Sequence, residues 1–130
     1  FSFKLKLDLK SKHAIYIDID TDQESRLIGR HGRTINALQN LSQIFINRLG
    51  ANNVTVELDT ANYRARRSES LIQLADKTAR NAIANGKPVY LNPMPAFERK
   101  QIHNALADND HVMTYSTGKE PHRVIVVAPK

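Results

Sequence analysis

The sequence predicts an α+β chain built as two small α/β-layer domains, residues 1–59 and 60–130. Three observations lead there. A chain of 130 residues suits one ordinary domain or two very small ones. The first half patterns as strand, strand, helix, glycine turn, helix, strand. The second half patterns as a long helix, a short strand, a helix and a two-strand finish. Hydrophobic residues at 41% and charged residues at 25% are ordinary for packed domains and argue against global disorder.

Phe3, Leu5, Leu7 and Leu9 alternate with Lys4, Lys6, Asp8 and Lys10, the period-2 signature of a strand with one wet face. Ser11-Lys12-His13 is a turn, after which Ile15, Ile17 and Ile19 alternate with Tyr16, Asp18 and Asp20. The two strands are expected to pair as a hairpin, lysines facing aspartates. Thr21-Asp22-Gln23-Glu24 has the spacing of a capping box and predicts a short helix running into Leu27-Ile28. Beyond the turn, Ile35, Leu38, Leu41, Phe45 and Leu49 recur at helical spacing as one expected inner stripe, with Gly50 as its C-terminal cap. Val54, Val56 and Leu58 then alternate as a third strand.

Between those helices lies Gly29-Arg30-His31-Gly32, followed by Arg33. Glycine lacks a Cβ, so such a turn takes left-handed angles and brings backbone N–H groups against a bulky anion, while Arg30 and His31 supply charge. The spacing alone serves a plain helix reversal equally well.

In the second half, Tyr63 to Ala84 predicts one long helix with Leu71, Leu74, Ala75, Thr78 and Ala82 inward. Arg64, Arg66 and Arg67 crowd its N-terminal turn, where the helix dipole disfavours cations; they either extend a basic surface or form a solvated face. Pro88 to Leu91 is a short strand, and Pro95 opens a helix to Ala107 with Phe97, Ile102, Ala105 and Leu106 as core candidates. Arg99 and His103, four apart, project from one face of it and are placed to grip one phosphate. Residues 111–116 and 123–127 finish the chain as strands.

The formal net charge of +6 favours a polyanionic partner. With aromatic residues at 6% and no Trp, a nucleic-acid surface here cannot rest mainly on stacking. The absence of cysteine removes disulfides and thiolate zinc sites and fits a reducing cytoplasm. No apolar run reaches the roughly 20 residues of a membrane span. The opening at Phe1, without a methionine, is expected of a fragment.

The strand-strand-helix-GxxG-helix-strand order and the run Ile28-Gly29-Arg30-His31-Gly32-Arg33-Thr34-Ile35 resemble the KH domain family. Because the extra strand comes first, the likeness is to the type II arrangement (ββααβ), without the leading helix often seen there. The resemblance implies a loop that clamps the backbone of about four nucleotides beside an apolar groove for bases. Carried over, the loop is Gly29, Arg30, His31 and Gly32, with Ile28 as groove-side neighbour and Arg33 as auxiliary.

Arg99-x-x-x-His103, with the runs Leu91 to Arg99 and Thr114 to Pro121, resembles the R-three-H domain. Its signature is this Arg and His, and its members bind single-stranded nucleic acid. Lys100, Arg123, Arg64 and Arg67 are auxiliary candidates. A KH domain followed by an R-three-H domain is similar to the bacterial Jag family, also called KhpB or SpoIIIJ-associated, whose members usually carry a further N-terminal domain.

That likeness implies a cytoplasmic, non-catalytic binder of single-stranded RNA or single-stranded DNA, of post-transcriptional or RNA-chaperone type, linked to cell elongation, division and sporulation. It implies a complex with the small single-KH protein KhpA, or a homodimer. The residues themselves indicate no cofactor and no metal. Two other readings stand beside this one: a protein–protein adaptor, and a metal-dependent nuclease using Asp108, Asp110 and His111, although adjacent acids after a helix ordinarily just turn the chain.

Overall fold

The computed structural model describes residues 2–130 and divides into two compact units, Phe1–Arg66 and Arg67–Lys130. Unit 1 runs β1 (Phe3–Ser11), β2 (Ala14–Thr21), α1 (Glu24–Ile28), a 3-10 turn (Arg30–Gly32), α2 (Arg33–Arg48) and β3 (Thr55–Asp59), the predicted ββααβ order. The antiparallel β1–β2 register sets Lys4 opposite Asp20 and Lys6 opposite Asp18, as the alternation requires. β2 pairs in parallel with β3, giving the order β1-β2-β3. A parallel pair needs a long crossover, and that crossover is the helix–turn–helix segment carrying the glycines.

Ile35, Val56, Leu58 and Tyr63 form the small core of unit 1, with Ile17, Ile28 and Ile46 against it. Side chains of α2 also close the free edge of β3: Gln43 Oε1 and Gln39 Oε1 accept the N–H groups of Val56 and Leu58, each at 2.9 Å. The edge strand β1 has no such cover among the described residues. Phe3, Leu5, Leu7 and Leu9 are 57–67% exposed, so both faces of β1 are wet and not one. The expected inner stripe of α2 is corrected likewise. Ile35 is buried, but Leu38, Leu41, Phe45 and Leu49 are exposed, because α2 packs through Ile35 and Ile46 and leaves Leu41 and Phe45 on an open groove.

The capping box is half realised. Thr21 Oγ1 accepts the N–H of Gln23 at 3.1 Å, but α1 begins at Glu24, whose carboxylate makes no reciprocal cap. A better cap lies at the start of the helix that opens at Tyr63, where Asp59 Oδ1 accepts the N–H groups of Thr60 and Arg64 at 2.8 and 3.1 Å.

α3 (Tyr63–Asn85) starts in unit 1 and continues into unit 2, followed by β4 (Val89–Tyr90), α4 (Ala96–Leu106), β5 (Val112–Thr117) and β6 (Val124–Pro129). β6 lies between β4 and β5 and is antiparallel to both. Leu71, Ala75, Ala79 and Ala82 of α3 and Ile102 and Leu106 of α4 pack with Val112, Ile125 and Val127. Phe97 and Ala105 are exposed, contrary to expectation; the inward face of α4 is Glu98, Arg99, Ile102 and Leu106. This spacing of three and four residues is helical, but two of its members are charged.

Candidate nucleic-acid interface

In unit 1 the chain leaves α1 through Gly29 at φ +71°, enters His31 at φ +55° and reaches Gly32 at φ +82°. Three left-handed residues in four is a conformation L side chains resist, and it explains the glycine spacing. Contact explains it further. A Cβ on Gly32 would sit 2.6 Å from the Tyr63 hydroxyl oxygen, and one on Gly29 would overlap the Thr34 side chain. Both glycines are therefore demanded by the protein's own packing.

Gly32 caps α2 with no side-chain hydrogen bond, and the first turn of α2 holds no acid. The positive end of this 16-residue helix thus faces the turn with no acid of its own first turn against it. Arg30, His31 and Arg33 are exposed around it, and none of them is held in a salt bridge among the described residues. Ile28 lies partly buried against the core. Arg64 is engaged with the Leu58 carbonyl at 3.1 Å, Gln39 Oε1 at 2.9 Å and Asn36 Oδ1, so it braces α2 against β3. A separate groove of about 410 Å³ lies between Leu7, Ile15 and Ile17 of the sheet and Leu41, Phe45 and Ile46 of α2.

In unit 2, Arg99, Lys100 and His103 of α4 line one concavity of about 340 Å³ together with Thr114 and Ser116 of β5. Lys100 and His103 are exposed, and His103 Nδ1 meets Thr114 Oγ1. Arg99 is only 7% exposed. Its Nη1 donates to the Met94 carbonyl and its Nη2 to Glu120 Oε1, both at 2.7 Å. Arg123 donates to the carbonyls of Gly118 at 2.6 Å and Ser116 at 3.4 Å, holding the 118–122 loop. Arg67 does not extend the surface: it forks onto buried Glu98, Nη2–Oε1 3.1 Å and Nε–Oε2 3.3 Å, and neutralises it.

Sequence reasoning missed Glu120 as the partner of Arg99 and Tyr63 as the neighbour of Gly32. Neither pairing has a local signal, since the partners lie 21 and 31 residues apart in sequence. The Tyr16 pKa is pushed up to about 12, through burial first and then its 2.9 Å hydrogen bond to Asp59 and the nearby carboxylates. Asp108 and Asp110 are exposed, and no group of three or more His, Asp or Glu side chains able to hold a metal ion converges among the described residues. No helix among the described residues is long and apolar enough to cross a membrane.

These two sites sit in two recognisable domains. Residues 3–58 match the family model of the KH domain of KhpA and KhpB, and residues 69–129 match that of the R-three-H domain. The chain belongs to the KhpB (Jag) family. It is 52% identical over 124 residues to the RNA-binding protein KhpB of Lactiplantibacillus plantarum, covering 95% of this chain and 38% of the relative. It is 38% identical over 123 residues to the RNA-binding protein KhpB of Bacillus subtilis, covering 93% and 59%. A similar protein of the same name in Clostridium symbiosum is 37% identical over 114 residues, covering 88% and 51%. The chain thus spans between 38% and 59% of the length of these relatives.

Proposed function

We propose that the chain binds single-stranded RNA without cleaving it, through the glycine turn of unit 1 and the α4 concavity of unit 2. The carrying observation is the turn: Arg30, His31 and Arg33 stand exposed and, among the described residues, without salt bridges, around a helix N-terminus with no side-chain cap and no acid in its first turn. A phosphate there meets oriented dipoles and cations together. The relatives' name, RNA-binding protein, supports RNA over DNA. Within this reading the boundary between a KH domain and an R-three-H domain lies near residues 59–60, and the protein acts in the cytoplasm as an RNA regulator or chaperone serving cell elongation, division and sporulation.

The test is retention of a fluorescent single-stranded RNA by the wild type and by Arg30→Asp/His31→Asp, which leaves both glycines in place. Wild-type affinity should fall steeply with salt, by a log–log slope of about 0.7 per phosphate contacted. The variant should fold normally and lose at least tenfold in affinity. Equal binding by both proteins contradicts the reading.

A second reading has one specific observation behind it. The uncovered leucines of β1 and the exposed Leu41 and Phe45 of α2 form an apolar face beside an open sheet edge. They suit docking of KhpA or of a second copy. Leu7→Glu should leave RNA binding intact and abolish any salt-insensitive association in sedimentation.

A further inference from the structure

A carboxylate already occupies the Arg99 guanidinium of unit 2. Arg99 is 7% exposed, and its guanidinium is held at 2.7 Å by the carboxylate of Glu120, which is itself 58% exposed on its side chain. A nearly buried guanidinium without a counter-charge is costly, so a partner is expected there whenever no ligand is bound. The geometry points to Glu120 as a built-in competitor: its carboxylate holds the Arg99 position in the free protein, and an RNA phosphate takes that position by displacing it.

Three features make this exchange possible. Arg99 lines the same concavity as exposed Lys100 and His103, so an arriving phosphate finds additional donors that the carboxylate does not use. Glu120 is mostly in water, so its displaced carboxylate is rehydrated at little cost. The loop backbone is fastened independently of Glu120, by Arg123 on the carbonyls of Gly118 and Ser116 and by the His122 N–H on the Lys119 carbonyl at 2.8 Å. The side chain can therefore leave while the loop stays folded. Meanwhile the Arg99 Nη1 bond to the Met94 carbonyl keeps the guanidinium aimed. The site is consequently tuned weak, because one monoanion replaces another that is tethered beside it.

This inference rests on the RNA-binding reading of unit 2, and its test separates the two. The full chain is titrated with a fluorescent oligouridylate as wild type, Glu120→Gln, Asp110→Asn, Arg99→Gln and Arg99→Gln/Glu120→Gln, with folding followed by circular dichroism. Glu120→Gln should bind about three- to tenfold tighter and melt at a slightly lower temperature. Asp110→Asn makes the same change of net charge away from the contact and should stay within about twofold of wild type. In the Arg99→Gln background the gain from Glu120→Gln should vanish. Unchanged or weaker binding by Glu120→Gln overturns the competitor, as does an equal gain from Asp110→Asn or a gain that survives without Arg99. If Arg99→Gln itself folds and binds like wild type, the unit 2 site falls and the competitor with it. Should Arg99→Gln not fold, Arg99→Lys replaces it: a point charge that loses the fork should shrink the gain, and an undiminished gain overturns the proposal.

Discussion

Arg30 and His31 in unit 1 and Arg99 in unit 2 lie at candidate anion sites, yet their side chains are held in opposite ways. The first pair stands in solvent on a strained turn, with no acid in the helix turn behind it. Arg99 is nearly buried, with a carbonyl on one nitrogen and a carboxylate on another. Rigidity in unit 1 therefore comes from the backbone, while in unit 2 it comes from side-chain pairing. A free charge on a fixed turn is ready for ligand at no exchange cost. A paired charge holds its own element together and gives up a partner to bind. Substitutions should therefore separate binding from folding in unit 1 and couple them in unit 2.

The largest effect should come from Glu98→Ala. Removing a carboxylate that is 1% exposed leaves Arg67 facing the interior without its partner, and breaking such a buried pair costs about 3–5 kcal/mol. Thermal melts should show unit 2 lost or strongly destabilised. Next is Gly32→Ala, where a Cβ would press on the Tyr63 hydroxyl at 2.6 Å from a left-handed backbone; about 2–3 kcal/mol should go from unit 1. The Arg30→Asp/His31→Asp variant is the counterpart, with the melting temperature unchanged and RNA affinity lost. If it melted early, the contrast between the two units would break.

The smallest effect concerns pH and Tyr16. Its pKa is raised from 10.0 to about 12 in the folded chain, so the unfolded chain loses that proton first. Its contribution is complete below pH 10.0 and is lost as pH rises through about 12. Tyr16→Phe should cost about 1 kcal/mol at neutral pH by removing the donor to Asp59. Urea melts across the alkaline range should then show a shallower fall in stability than wild type.

Much of this architecture is written locally. The strand spans of β1 and β2, their pairing as a hairpin and the glycine spacing are short-range rules that the fold follows. The misread elements share one cause: periodicity reports which residues share a face and not what covers it. Leu38, Leu41 and Phe45 do form a stripe on α2, but the described sheet offers nothing to cover it. On α4 two of the inward positions are taken by Glu98 and Arg99, which hydropathy places outside and whose charges are matched inside by the distant partners Arg67 and Glu120. The glycine turn is legible as a candidate site because its chemistry is contiguous. The Arg99–Glu120 pairing is not, because it joins α4 to a loop across 21 residues.

Two-surface RNA binding is tested most directly by mapping amide chemical-shift changes as a single-stranded RNA is added to the isotopically labelled chain. The changes should concentrate at Gly29 to Arg33 and around His103, Thr114 and the loop from Gly118 to His122. Changes confined to β1 and the exposed face of α2 around Leu41 and Phe45, with both of those regions silent, would contradict it.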